Sequence, residues 1–153
     1  MPPWWILCGN LILPMAIDYV YFYSIEFAKR IIRYLKINYA NEDVRQQCTS
    51  MKAATKLFGG DKRLAISLHA RINAIEQADI IKDIIAMPTF RFHNLHGNLD
   101  GYFAIDVKTR KEKWRLILRP LDDNEVVYDP CHIDEIAGVV KIVEIREVSA
   151  HYE

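Results

Sequence analysis

The spacing of apolar positions changes twice along the chain and marks out three stretches of different character. The first, residues 1–34, opens with "WWILCGNLILPMAI". This run is apolar, but Gly9, Asn10 and Pro14 interrupt it and Asp18 follows too soon for a membrane-spanning helix, which needs about 20 apolar residues. No basic residue precedes the run and no small-residue cleavage site stands out after it, so a secretory leader fits poorly. Further on, "YSIEFAKRIIRYL" sets Ile25, Ala28, Ile32 and Leu35 on one face of an amphipathic helix. The segment reads either as a helical arm packed on a domain or as translated sequence upstream of the true start.

From Leu35 the pattern becomes regular. "LKINYA" alternates as a short strand, and Asn41 is placed to cap a helix. Val44, Cys48, Met51, Thr55 and Phe58 then recur at helical spacing until Gly59-Gly60 ends that helix. Asp61 caps a second helix whose buried stripe is Leu64, Leu68, Ile72 and Ile75, so the two form a helical hairpin. After Pro88 the period drops from 3.6 to 2. "TFRFHNL" reads as a strand, "HGNLDG" as a turn, and "YFAIDVK" and "KWRLILRP" as two further strands joined closely enough to be antiparallel. "LDDNEVVYDPCHIDEIAG" is a polar excursion with one short helical turn, and "VVKIVEIREV" is a long last strand before the tail "SAHYE". Strand, two helices, then a run of strands predicts an α+β domain over residues 35–153, with a helical hairpin packed on one face of a mainly antiparallel sheet.

Length and composition narrow the function. With 153 residues the chain holds one domain, or one domain with an appendage, and needs no disulfide to support its core. Cys8, Cys48 and Cys131 are odd in number, widely spaced and in no CxxC pair, which points to a reducing compartment and away from a disulfide framework or a cysteine-rich zinc site. Twenty basic residues balance twenty acidic ones, so non-specific nucleic-acid binding would have to rest on a local patch or on a partner that supplies the docking. Residues 1–34 carry a net +1, leaving −1 on the remainder. A nucleic-acid-binding face then requires the acids to lie elsewhere, in "LDDNEVVYD" and along the helices.

Such a patch is visible between residues 108 and 119. On the third strand of the run Trp114, Leu116 and Leu118 point one way while Arg115, Ile117 and Arg119 point the other. Lys108, Arg110, Lys111 and Lys113 precede them with only Glu112 to offset the charge. Arginine offers phosphate a planar donor fork, so a solvated strand face stands against a phosphate-binding surface. Two histidines lie nearby: His93 shares the register of Arg91, opposite Phe90 and Phe92, and His96 stands at the entry to the glycine turn. A metal would need further ligands, and nothing in the spacing brings His132 or Asp134 to these two. His151 and Tyr152 add two titratable groups at the end of the last strand.

Together "FRFHNLHGNLDGYFAIDV", "KWRLILRP" and "VVKIVEIREVSAHYE" resemble the RelE/HigB family of bacterial toxins from type II toxin–antitoxin systems, most nearly its HigB-type "killer protein" branch. The resemblance covers about residues 35–153 and implies two helices against an antiparallel sheet. It also implies a cytoplasmic endoribonuclease that cleaves messenger RNA in the ribosomal decoding site without a metal or other cofactor, halting translation and growth. The partners it implies are the ribosome, its mRNA and a HigA-like helix-turn-helix antitoxin, with no membrane. Residue by residue, His93 matches the histidine of the family's HxLxG, and His96 stands where a catalytic lysine is common. Arg115 falls on the arginine after tryptophan that holds the scissile phosphate, and Tyr102 on an aromatic of the middle strand. The tail departs from the pattern: relatives commonly end in Asp-Tyr-His, whereas His151-Tyr152 follow Ser149-Ala150, without the acid and in reversed order. The 120–138 excursion is also longer than the family's, a candidate contact for antitoxin or ribosome.

Attack by a 2′-hydroxyl needs a base, stabilisation of the charged phosphorane and a proton for the departing 5′-oxygen. Histidine ordinarily titrates near pH 6.5 and suits both proton transfers. The expectation is therefore that His96 and His151 share acid and base duties and Arg115 clamps the phosphate. Arg119, Lys113, Lys108 and Arg110 would bind neighbouring phosphates, His93 would help to bind the substrate, and Tyr102 or Tyr152 would stack on a base or orient the hydroxyl. The rival readings are a non-catalytic, ParE-like gyrase-inhibiting toxin and a plain RNA- or protein-binding module. The histidines of the turn and tail favour the nuclease.

Overall fold

In the computed structural model, internal packing divides the chain after Arg33, and the described residues, 34–150, all belong to the second unit. The N-terminal segment up to residue 33, and with it most of the proposed arm, lies outside them. The fold is α+β, with strands β1 (Lys36–Tyr39), β2 (His93–Asn94), β3 (Phe103–Asp106), β4 (Arg115–Leu121) and β5 (Ile142–Ser149) in one sheet of order β1-β5-β4-β3-β2. β1 runs parallel to β5 and every other pairing is antiparallel.

The helical hairpin forms, but its first arm is broken. Asn41 accepts from the Val44 amide and starts α1 (Glu42–Thr49), then Ser50 turns extended and its hydroxyl accepts from the Ala53 amide to start α2 (Met51–Leu57). The restart shifts the helical phase, so Ala54 is buried while Met51, expected inside, is 43% exposed. Gly59 and Gly60 have φ of 62° and 96°, which only glycine adopts without strain, and they let the Gly60 amide reach back to the Thr55 carbonyl. Asp61 then accepts from the Arg63 and Leu64 amides to cap α3 (Lys62–Gln77). Leu64, Leu68, Ile72 and Ile75 are all buried, as their spacing requires. A short α4 (Ile81–Ile85) adds Ile81 and Ile84 to the same core.

Against these helices the sheet sets Phe103, Ile105, Leu116, Leu118, Val143, Ile145 and Val148, each inward by strand alternation. The strand expected over "TFRFHNL" shrinks to His93–Asn94, because Pro88 opens a 3-10 turn through Phe90 and Arg91 follows in the left-handed region at φ 48°. Phe92 still reaches the core, stacked on Phe103 with ring centroids 4.9 Å apart. In β5, Ile117 faces Glu147 while Leu118 faces Ile145, so Arg146 is the extra residue of a β-bulge. That bulge keeps Ile145 and Val148 in the core although two charged residues separate them. In the excursion, α5 (Ile133–Ile136) buries Ile133. No helix among the described residues is long and apolar enough to cross a membrane.

Burial separates the two described cysteines. Cys48 is 2% exposed in the core, and burial pushes its thiol up to about 12, whereas Cys131 is half-buried and shifted upward less, by burial and then by the charge of Asp100. Thiolate is the reactive species. Iodoacetamide at pH 8 should therefore alkylate Cys131 of the folded protein well before Cys48, which should react only in denaturant. Peptide mapping that found the two labelled at equal rates would contradict this core.

Candidate functional site

The sheet face turned from the core carries a band of ionic groups, ordered by the register of β3, β4 and β5. At one end Asp106 pairs with Arg115, and Arg115 in turn with Ser149. Asp106 is fully buried; it is the one carboxylate on the outward register of "YFAIDVK", a signal that attention to the cations alone passes over. Arg115 Nε lies 3.0 Å from its Oδ1 and Arg91 Nη1 3.3 Å from its Oδ2. The Nε–H of Arg115 is not aimed along that contact, so Oδ1 receives charge compensation without an aligned hydrogen bond. Arg115 Nη1 donates instead to the carbonyls of Glu112 and Trp114, at 2.6 Å and 3.0 Å. The guanidinium is thus held on two edges at 15% side-chain exposure, and its Nη2 donates to no described residue.

At the other end Tyr102 lies beneath two cations, with Arg119 5.1 Å and Arg146 4.8 Å from its ring centroid. Arg119 is matched by Glu144, with Nε and Nη2 at 2.9 Å and 2.8 Å from the same carboxylate oxygen, and Arg146 by Glu147 at 3.4 Å. The consecutive "RE" inside the last strand is the visible trace of the bulge that delivers both charges to this face. Between the two ends Ala104 and Ile117 pair with each other and are fully buried. The charge balance had suggested that acids keep away from this face, and they do not. Asp106, Glu144 and Glu147 sit on it and neutralise four arginines almost completely, because guanidiniums this crowded and half-buried need counter-charges.

The histidines divide between the ends. His93 pairs with Ala104, on the arginine-bearing face, two strands across from Arg115 and one row along. Its Nδ1 is 2.7 Å from the Arg91 carbonyl oxygen, which can only accept, so Nδ1 carries a proton and donates to it. The left-handed backbone of Arg91 serves both groups, offering its carbonyl to His93 and its guanidinium to Asp106. His96 lies beyond Leu95, whose amide bonds to the Tyr102 carbonyl, and so belongs to the Arg119 end. Four to five residues of strand rise put it roughly 15 Å along the sheet from Arg115. The expected pairing of His96 with Arg115 is thus not one the register makes. His151 and Tyr152 lie outside the described residues.

Of the turn cations, Lys108 is half-buried 3.9 Å from Glu112, while Arg110, Lys111 and Lys113 are exposed. The long excursion folds back through a Leu121–Val127 bridge and closes a cleft of about 600 Å³ against Tyr102 and Arg119, lined also by Tyr128, Cys131 and His132. His132 and Asp134 stay apart from His93, and among the described residues no group of three His, Cys, Asp or Glu side chains is placed to hold a metal. No protein-family model matches the sequence, and no curated protein matches it.

The buried carboxylate is the piece most open to measurement. Asp106→Asn leaves two guanidiniums without their counter-charge and should destabilise the fold by about 3–5 kcal/mol. In urea titrations the double variant with Arg115→Gln should lose less than the two single losses summed. Strict additivity would mean that the ion pair is not coupled.

Proposed function

We propose that the charged outer face of the sheet binds an RNA phosphodiester and cleaves it by 2′-hydroxyl attack, and that the protein is the ribosome-dependent endoribonuclease toxin of a type II toxin–antitoxin pair. The carrying observation is the pairing of a preorganised guanidinium with an imidazole anchored through Nδ1 on that face. Arg115 is locked by Asp106 and two carbonyls and donates from Nη2 to no described residue, while His93, two strands across and one row along, commits Nδ1 to the Arg91 carbonyl. Donors fixed in advance stabilise a developing phosphorane charge without reorganising at the moment of reaction. An imidazole whose Nδ1 is committed to a carbonyl can, when neutral, take a hydroxyl proton at Nε2.

In this scheme Arg115 Nη2 binds a non-bridging oxygen of the scissile phosphate and His93 Nε2 takes the 2′-hydroxyl proton. Attack on phosphorus breaks the bond to the 5′-oxygen, which takes a proton from solvent water, giving a 2′,3′-cyclic phosphate and a 5′-hydroxyl end. Tyr102, held by Arg119 and Arg146, offers a rigid ring for a neighbouring base. His96, at the same end, is placed to contact the RNA rather than to share chemistry with Arg115. An antitoxin that laid a helix across this face would cover both ends at once.

Induced expression in bacteria tests the scheme. The wild type should arrest growth and leave mRNA fragments with 5′-hydroxyl ends. His93→Gln preserves the outline of an exposed side chain and should reduce cleavage at least a hundredfold, the usual scale of general base catalysis. Arg115→Lys keeps the charge but loses the fork and should fail similarly. Arrest with intact mRNA would point to a non-catalytic poison on the same scaffold. Full cleavage by His93→Gln would remove His93 from the mechanism.

A further inference from the structure

Apart from the outer sheet face, the fold gathers cations from two distant parts of the sequence where the helical-hairpin loop meets the β3–β4 turn. Phe58, at the end of α2, meets Trp114, at the start of β4, edge to face with ring centroids 4.9 Å apart. Farther along α3, Arg71 donates from Nε to the Asp106 carbonyl at 2.9 Å and from Nη2 to the Lys108 carbonyl at 3.1 Å. These two pins lay the first half of α3 beside the β3–β4 turn. Lys62 and Arg63 thereby join Lys108, Arg110, Lys111 and Lys113, and the only carboxylates in the two loops are Asp61 and Glu112. The nearness shows electrostatically as well: Arg63 is held charged by Asp61 first and by Glu112, across the junction, to a smaller extent.

Six cations against two acids is a surplus of four on a chain whose formal net charge is zero, so the rest of the protein carries the opposite surplus. Helix energetics do not account for this placement. Lys62 and Arg63 occupy the first turn of a sixteen-residue helix, where the macrodipole favours acids, and no acidic residue lies in that turn. Nor are the charges consumed internally. The side chain of Arg63 is 77% exposed, and Arg110, Lys111, Lys113 and Lys62 are exposed with no carboxylate within ion-pair distance among the described residues. The outer sheet face, by contrast, nearly neutralises its own arginines.

We propose that this junction of the helical-hairpin loop with the β3–β4 turn is a sequence-independent RNA-backbone docking surface, separate from the ionic face of the sheet. Exposed, flexible ammonium and guanidinium groups bind phosphates by charge and counterion release and read no bases. The turn runs directly into Arg115, so a strand held at the junction continues onto the sheet face. RNA is favoured over an anionic membrane because the turn offers no exposed large apolar side chain to insert; the nearest is Ile66, alone on α3.

The test uses the full chain and a fluorescein-labelled 20-nucleotide RNA with 2′-O-methyl groups throughout, which cannot be cleaved by 2′-hydroxyl attack, so binding is read apart from cleavage. Anisotropy titrations from 50 to 200 mM KCl should show tight, salt-sensitive binding. Lys62→Gln/Arg63→Gln should weaken it roughly tenfold at low salt and reduce the slope of log K against log salt by ~1.4, two phosphate contacts' worth for a single strand. Arg110→Gln/Lys111→Gln/Lys113→Gln should lower the slope further. Lys82→Gln and Lys141→Gln, exposed elsewhere, should leave both quantities unchanged, and circular dichroism should confirm that every variant is folded. A wild-type affinity and slope in the Lys62/Arg63 variant would overturn the proposal, as would stronger binding to phosphatidylserine vesicles than to RNA. Binding that behaves as expected while induced cells keep their mRNA intact would leave this surface standing and remove only the cleavage reading.

Discussion

Asp106 is sealed from solvent and faces two guanidiniums, and the arrangement of the outer sheet face stems from that one placement. A carboxylate buried without cations would be too costly to keep charged, so it is met by Arg115 from β4 and by Arg91 from the turn before β2. Each cation is then fixed by further contacts. Arg115 donates to two carbonyls at the start of β4, and Arg91 takes a left-handed backbone that turns its carbonyl toward His93. Arg71 reaches from α3 to the carbonyl of the same aspartate and ties the helical layer to this end of the sheet. One short strand position thus organises a guanidinium, an imidazole and the packing of a helix.

The two cationic regions of the molecule work on different physical terms. On the sheet face the arginines are half-buried, matched by Asp106, Glu144 and Glu147, and geometrically confined. Such groups recognise by position, since their net field is small and their donors point in set directions. At the hairpin–turn junction the cations are exposed, and their charges are only partly offset. They attract by field strength, at longer range and with sensitivity to salt. A neutral overall composition conceals this division, because the acids that balance the chain are spread unevenly over it.

Local rules carried the secondary structure far. The caps at Asn41 and Asp61, the Gly59-Gly60 joint, the stripe from Leu64 to Ile75 and the alternation of β4 are all readable from residue type and spacing. Two misreadings have specific causes. Ser50 is as good a cap as it is a tolerated helix residue, and the structure uses it to restart the helix, trading Met51 for Ala54 in the core. The aromatic–basic alternation of "TFRFHNL" imitates a strand, but Pro88 and the left-handed Arg91 leave only two residues to pair.

Residue order alone was enough to determine the α+β layering, most of the inward set of apolar side chains and the presence of Arg115 and Arg119 on one face, because these depend on periodicities of two and 3.6 residues. It was not enough to decide which charges meet. The partnership of Asp106 with Arg91 and Arg115, the stacking of Arg146 on Tyr102 through a bulge, the remoteness of His96 from Arg115 and the junction of Lys62 and Arg63 with the β3–β4 turn are matters of strand register and helix docking. Those contacts span tens of residues, and their energies are set by burial and distance rather than by any local preference, so they come into being only when the chain closes on itself.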